Sequence, residues 1–370
     1  MSDIGHTHRT PLRIGSLFSG IGGLELGLER AGVGRTAWQC ESSPQARAVL
    51  AQRWPGVPCM EDVHSVNRTT VAPVDVLCGG FPCQDISVAG GGAGLDGSRS
   101  GLWHEFARAI EELEPRIVVV ENVAALVTRG LDRVIARLTG IGYRVAARLL
   151  RAPDVGAPHR RERIFLVAWR DVGPRGISDA DIWQRPERDA EPGQMGAQNV
   201  ADGMCSRLEE RGRVTPNPRA ELATAERDRG AMDHAHGGGR GRFGVGGVLN
   251  GERAAFGRDA DGRGSEAPGM VWPPGPHDAA GWRDYLDRFP GREPAVTLSN
   301  GRRALNPRFV EALMGFPDGW TDARMRTPKG ERSLSRRERL RMLGNAVMPQ
   351  VGEVVGRQLK GLVGEPGGVM

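Results

Sequence analysis

The run Ile117-Val118-Val119-Val120 has no polar face. A strand with one side in water alternates apolar and polar residues. A strand without that alternation must be covered on both sides, as inside a parallel sheet flanked by helices. The neighbouring sequence supplies the strands and the covers. Ile14-Gly15-Ser16-Leu17-Phe18 is a short apolar strand, followed by a glycine turn and helical spacing from Leu24 to Ala31. Thr36 to Cys40 and Val74 to Cys78 read as further strands. Pro44 to Trp54, Leu102 to Leu113 and Leu131 to Leu138 read as helices, with Pro44 at home in a first helical turn. Arg144 to Leu150 and Arg163 to Trp169 complete the series. Residues 11–170 therefore predict one α/β domain with a doubly wound, mostly parallel sheet.

From residue 171 the pattern breaks. Glycine crowds the chain to residue 270, and β-branched and aromatic residues thin out. Residues 171–295 read as a variable Gly/Arg-rich region, partly disordered. Trp272-Pro273-Pro274-Gly275-Pro276 is either an anchor for that region or a turn packed on the core. Helical spacing returns at Trp282 to Phe289, Pro307 to Met314, Arg337 to Met342 and Val351 to Leu359. Residues 296–360 are expected to return to the first domain.

Several classes drop out. Five cysteines without a CxxC pair make neither a disulfide scaffold nor a structural zinc site, and no metal is expected. No apolar run approaches the roughly 18 residues of a membrane span. The N-terminus has no basic-then-apolar signal pattern, so a cytoplasmic location is expected. Basic residues number 50 against 45 acidic, a net charge of +5 that permits a nucleic-acid partner. All but Lys329 and Lys360 are arginine. Guanidinium forks suit phosphates and base edges, although a GC-rich coding bias gives the same composition.

Chemistry-bearing residues fall at strand ends. Ser19-Gly20-Ile21-Gly22-Gly23 matches neither the dinucleotide fingerprint nor the phosphate loop ending in Gly-Lys-Ser/Thr. A nucleoside with less phosphate is one ligand for such a turn. Glu41 follows the second strand, where a carboxylate can hold a ribose diol, and Glu61-Asp62 follows Pro58-Cys59-Met60. Cys83 stands after Pro82 just beyond a strand, and a glycine-rich loop follows it up to Gly101, a candidate lid. Glu121-Asn122-Val123 follows the apolar run, and Arg161-Glu162-Arg163 enters another strand.

These residues, in this order, resemble the DNA (cytosine-5) methyltransferase family of bacterial or phage type. The resemblance rests on Phe18 to Gly23, Phe81-Pro82-Cys83-Gln84, Glu121-Asn122-Val123 and Arg161 to Arg163. Near the C-terminus it adds Asn306-Pro307-Arg308, Leu313-Met314-Gly315-Phe316-Pro317 and Leu343-Gly344-Asn345-Ala346-Val347. It implies the S-adenosylmethionine-dependent methyltransferase fold with a smaller target-recognition lobe.

The resemblance also implies roles. Cys83 is the nucleophile at C6 of cytosine, Glu121 the acid at the ring N3, and Arg161 and Arg163 the contacts to base, phosphate or loop. Glu121 is then expected to be desolvated, with a raised pKa. Phe18, Gly20, Gly22, Glu41, Asp62, Pro82, Leu102 and Asn345 take the cofactor, S-adenosyl-L-methionine. Gln84, Ser87, Arg99 and Asn122 contact the target base or DNA. The cytosine must be flipped from double-stranded DNA to reach such a pocket. A monomer is expected, beside a cognate restriction endonuclease with no stable complex. Two departures stand out: His159 replaces the family's usual glutamine, and Ala346 stands where serine is common. A transfer-RNA cytosine-5 methyltransferase shares the same motifs. An inert nucleic-acid-binding protein on this fold is the reading of another class.

Overall fold

The apolar run lies inside a seven-stranded sheet, as its missing polar face demands. The computed structural model describes residues 11–82, 101–170, 271–275 and 277–363. The chain runs β1 (Leu12–Leu17), α1 (Gly23–Arg30), β2 (Gly34–Cys40), α2 (Pro44–Arg53), β3 (Cys59–Met60) and β4 (Val76–Gly80). It continues as α3 (Gly101–Leu113), β5 (Ile117–Val123), α4 (Leu126–Arg129), α5 (Leu131–Gly140), β6 (Arg144–Arg151) and β7 (Glu162–Trp169). The strand order is β3-β2-β1-β4-β5-β7-β6. Pairs from β3 to β5 are parallel, and β7 runs antiparallel to both β5 and β6. Between β1 and β4 the winding reverses, so their carboxyl ends part and leave a crevice where α/β sheets bind ligands.

Alternate residues of each strand feed two separate cores. Ile14, Val76, Val119 and Val167 pack under α1 with Leu24 and Leu28. Leu17, Leu77, Val118 and Leu166 pack under α3 and α5 with Phe106, Ile110, Val134 and Leu138. Both faces of the central strands are thus dry, which is why their sequence does not alternate.

β5 extends three residues past the apolar run and carries Glu121 and Asn122 within it, because both stay paired to β7 and Glu121 also to Gly80 of β4. Arg161 stands just before β7 rather than inside it.

The later elements are α6 (Ala279–Arg288), β8 (Ala295–Thr297), β9 (Arg303–Leu305), α7 (Pro307–Leu313), β10 (Arg324–Thr327), β11 (Gly330–Ser333), α8 (Arg336–Asn345) and α9 (Pro349–Val363). α9 lies along α1, and Gly27, Gly352 and Gly356 let the two backbones approach: a Cβ on Gly27 would meet the Pro349 carbonyl oxygen. The hairpins β8–β9 and β10–β11 are short, the first half-buried and the second mostly exposed, and neither holds a fully buried residue to announce it. Among the described residues, no helix is long and apolar enough to cross a membrane. Nor does any group of three or more His, Cys, Asp or Glu side chains there stand ready for a metal ion.

Candidate active site

The turn after β1 folds tightly because Gly20 and Gly22 take positive φ, 57° and 81°. Gly22 caps α1, and any side chain on it would run into the Trp54 ring. Phe18 also has a positive φ, 55°, a conformation costly for a bulky residue and one that collects at functional sites. Its ring sits 6.1 Å from that of Phe106. The Gly20 N–H donates to Glu41 Oε2 at 2.8 Å, and the Ser43 N–H donates to Oε1 at 2.8 Å. Glu41 is therefore aimed at the glycine turn from the end of β2.

One cleft opens above the carboxyl ends of β1 and β4. It is lined by Phe18, Gly20, Glu25, Gly80, Glu121 and Asn345, with Ser16, Ser19, Ile21, Gly23, Leu24, Gly79, Ala346 and Val347 completing its wall. Gly80 makes room for Glu121: a Cβ there would stand 2.5 Å from Glu121 Oε2. Gly23 does the same for the last block, since its Cβ would collide with the Val347 carbonyl.

Glu121 is nearly buried and pairs with Arg163, Nε to Oε1 at 2.9 Å. Burial raises its pKa above the ordinary glutamate value, while Arg163 and then Arg161 hold it back. Asn122 is fully engaged with backbone. Its Nδ2 donates to Phe81 O at 3.1 Å, and its Oδ1 accepts from the Val123 N–H at 2.8 Å. It anchors the chain two residues before Cys83.

The arginine block is tied to the C-terminal segment. Arg161 donates from Nη1 to Gly344 O at 2.9 Å and from Nη2 to Ala346 O at 2.7 Å. In this arrangement its guanidinium buttresses the cleft wall. His159 bridges the same two parts. Its Nδ1 accepts from the Arg161 N–H at 3.3 Å, and its Nε2 stands 3.0 Å from Leu313 O, so Nε2 carries the proton. A glutamine amide offers the same acceptor-and-donor pair, which accounts for the exchange.

The structure thus brings Phe18, Gly20, Glu121 and Asn345 to one cleft, with Glu41 touching it through Gly20. Asp62 stands apart: it is exposed, caps the turn at Val63–Ser65 and pairs with His64 Nδ1 at 2.7 Å. That contact draws its pKa down and raises that of His64. Leu102 packs at the start of α3 in the second core, and half-buried Pro82 ends the described stretch. Cys83, Gln84, Ser87 and Arg99 lie outside the described residues, as do the candidate lid up to Ser100 and the whole of 171–270.

Two residues of the site escaped the sequence reading. Trp320 donates from Nε1 to Ile21 O at 2.9 Å and meets Trp54 edge-on at 5.7 Å, pinning the C-terminal block to the glycine turn. Nothing in Gly-Trp-Thr announces that contact. Glu25, only 1% exposed, was detectable: Ile21, Glu25 and Leu28 share one helical stripe, which places a carboxyl among buried residues. Burial raises its pKa to about 7, against hydrogen bonds from Ser16, its own backbone and Ser19.

The cleft fits a small ligand with a nucleoside part. Glu41 faces the glycine turn, side chains are absent where the walls close, and one buried carboxyl oxygen, Glu25 Oε1, has no partner.

The model of the C-5 cytosine-specific DNA methylase family matches residues 12–233. Type II methyltransferase M2.BsuMI of Bacillus subtilis is 29% identical over 356 residues, 94% of this chain and 75% of that protein. Type II methyltransferase M.HhaI of Haemophilus parahaemolyticus is 33% identical over 175 residues, 46% of this chain and 53% of that protein, about half its length. In fold, the Dnmt2 methyltransferase of S. pombe superposes with a TM-score of 0.53 at 16% identity, covering 95% of this chain and 99% of that one. The chain belongs to the C-5 cytosine-specific DNA methylase family and is, by that membership, a DNA (cytosine-5) methyltransferase.

Proposed function

We propose that the protein binds S-adenosylmethionine in the cleft between β1 and β4 and methylates C5 of a cytosine flipped out of a specific duplex DNA sequence, through a covalent Cys83 adduct at C6. The observation that carries this reading is the pair of buried Glu121 with half-buried Arg163. It sits at the carboxyl edge of the sheet, beside the strand that leads to Cys83.

When bound, the cofactor supplies an electrophilic methyl group on a sulfonium. The protein's residues do the rest. The Glu41 carboxylate takes the ribose hydroxyls, Phe18 packs by the adenine, and Gly20 and Gly22 let the backbone come close. Asp62 accepts from the adenine amino group on this reading, from its place at the end of β3. Pro82, Leu102 and Asn345 complete the surroundings. The Cys83 thiolate adds to C6 and pushes electrons toward C5, making that carbon nucleophilic. Glu121, whose affinity for a proton burial raises while Arg163 and Arg161 hold it back, is proposed to donate that proton to N3 as negative charge develops there. Arg163 holds Glu121 in place and faces the base carbonyl, while Arg161 fixes the wall opposite. After transfer a base removes the C5 proton, the ring electrons return, and the Cys83–C6 bond breaks. Asn122 holds Phe81, two residues before Cys83, and Gln84, Ser87 and Arg99 are the proposed contacts to the base and strand.

The variable region 171–295 is proposed to read the target sequence, with residues 296–360 completing the catalytic domain. The Type II names of the relatives support a protective role beside a site-specific endonuclease, and we propose that the two form no stable complex. We take the protein to act as a cytoplasmic monomer.

The test is direct. Purified protein is incubated with methyl-labelled S-adenosylmethionine and long, sequence-diverse duplex DNA, and modified bases are mapped. Label at C5 of cytosines in one short recurring site is the expected result. Label only on transfer RNA would transfer the reading to that substrate, and label on cytosine N4 or on adenine would overturn the mechanism. Cys83→Ser is expected to abolish labelling while binding the cofactor within about threefold of the parent protein, the loss being confined to a step made at the base.

A further inference from the structure

Glu25 is the one buried carboxyl in the cleft wall to which neither the proposed chemistry nor the cofactor contacts above assign a task. It projects from α1 beneath the glycine turn, beside Gly23, Gly79 and Gly80. Ser16 and Ser19 stand beside its carboxyl and hold its pKa back, and Ser19 Oγ donates to Ser16 Oγ at 2.9 Å. Oε1 receives nothing: among the described residues it is a buried acceptor without a donor. No Arg, Lys or His there forms a salt bridge with this carboxyl, although arginine abounds elsewhere in the chain. An unsatisfied buried acceptor is costly and calls for an explanation.

Building on the cofactor reading above, we propose that Glu25 is the acceptor for the α-ammonium group of S-adenosylmethionine. An orphan carboxyl oxygen needs a hydrogen-bond donor, and preferably a cationic one. The sulfonium is cationic but carries no N–H or O–H. The ribose hydroxyls and adenine amino group are neutral and are assigned to Glu41 and Asp62, at the ends of β2 and β3. The ammonium alone combines a positive charge with three donors. Glu25 lines the cleft at the end of β1 and β4, while Glu41 meets the glycine turn from the end of β2, so the two ends of the ligand would be held by different carboxylates. Glu25 is then a binding residue of the amino-acid end.

Proton linkage follows from the burial. The titratable groups around Glu25 are Glu29 on its own helix, Cys59 on β3, Cys78 on β4 and Glu121 across the cleft. From α9, Glu353 faces Arg30 and pairs with Arg357. Burial pushes the Cys59 thiol up to about 11 and the Cys78 thiol well above its ordinary value, so both stay neutral near pH 7. Without ligand Glu25, at about 7, is mostly protonated at pH 6. Docking an ammonium ionises it and expels its proton.

Calorimetry on the full-length protein tests this with two probes, S-adenosylhomocysteine and its analogue lacking the α-amino group. The parent protein is expected to bind the analogue about 10- to 100-fold more weakly, the worth of a charge-assisted hydrogen bond. Glu25→Gln should weaken S-adenosylhomocysteine by a similar factor and leave the analogue nearly unchanged, as in a coupled pair. At pH 6, heats measured in two buffers should report release of close to one proton by the parent and none by the variant. Equal losses for both ligands would make Glu25 a mere structural prop of the turn and overturn the proposal, as would an analogue that binds the parent like the intact compound. If the variant does not fold, the analogue comparison and the proton count on the parent decide alone. If the parent binds neither S-adenosylmethionine nor S-adenosylhomocysteine, the reading of the cleft as a cofactor site falls with it.

Discussion

A buried carboxyl without a cation weakens a fold whenever it is charged, and Glu25 makes this measurable apart from any ligand. Its folded pKa, about 7, stands above the ordinary 4.5. The unfolded chain therefore gives up this proton first. The stabilising effect of holding it neutral is complete below the unfolded value and disappears as pH rises through the folded one. Between pH 6 and 8 the unliganded protein is expected to lose on the order of 1 kcal/mol through this group alone. Urea unfolding of the parent and Glu25→Gln at both pH values checks it: the variant should gain relative stability by about that amount as pH rises. A pH-independent difference between the two would show that Glu25 is hydrated in the free protein.

At the scale of elements, the functional side chains are set by strand register. Glu121 stands opposite Gly80 on one side and Phe165 on the other, so its carboxyl projects where β4 has no side chain. Asn122, one step on, turns the opposite way and grips Phe81 O. Asn122→Ala should free that carbonyl and loosen the loop leading to Cys83, lowering kcat by roughly tenfold while the cofactor Kd stays unchanged. Single-turnover kinetics beside equilibrium binding would separate the two, and a parallel rise in Kd would count against a local role. The strands themselves were legible because their residues are apolar on both faces, and the helices because α3 and α5 keep a clear apolar stripe. The strand ends were less so. Glu121 and Asn122 follow the apolar run in sequence, yet pairing to β7, and for Glu121 also to Gly80, keeps them in β5. The hairpin at Arg324–Thr327 and Gly330–Ser333 left no trace, since Arg324, Arg326, Glu331 and Arg332 are exposed and charged. The buttress from Arg161 to Gly344 and Ala346 was hidden for another reason: both acceptors are backbone carbonyls, which no side-chain pattern encodes.

For the whole molecule, a net charge of +5 is modest, so affinity for duplex DNA must come from placed guanidinium groups rather than from bulk attraction. Each phosphate contact contributes a slope of about −0.9 to the plot of log affinity against log salt. Two contacts already mean roughly a tenfold loss between 50 and 200 mM salt. Titration of labelled duplex across that range should show at least this, and a flat profile would argue against a phosphate-clamped complex. The cleft is also composite along the chain: residues 16–25, 79–80 and 121 form one side, and 345–347 close the other. On a ribosome adding about 5–20 residues per second, roughly ten to forty-five seconds separate the synthesis of Glu121 from that of Asn345. Throughout that interval the nascent chain holds its acid and its glycine turn but lacks the wall that Arg161 and Trp320 brace. The cleft therefore gains its last wall, Asn345 to Val347, only when more than nine-tenths of the chain has been made.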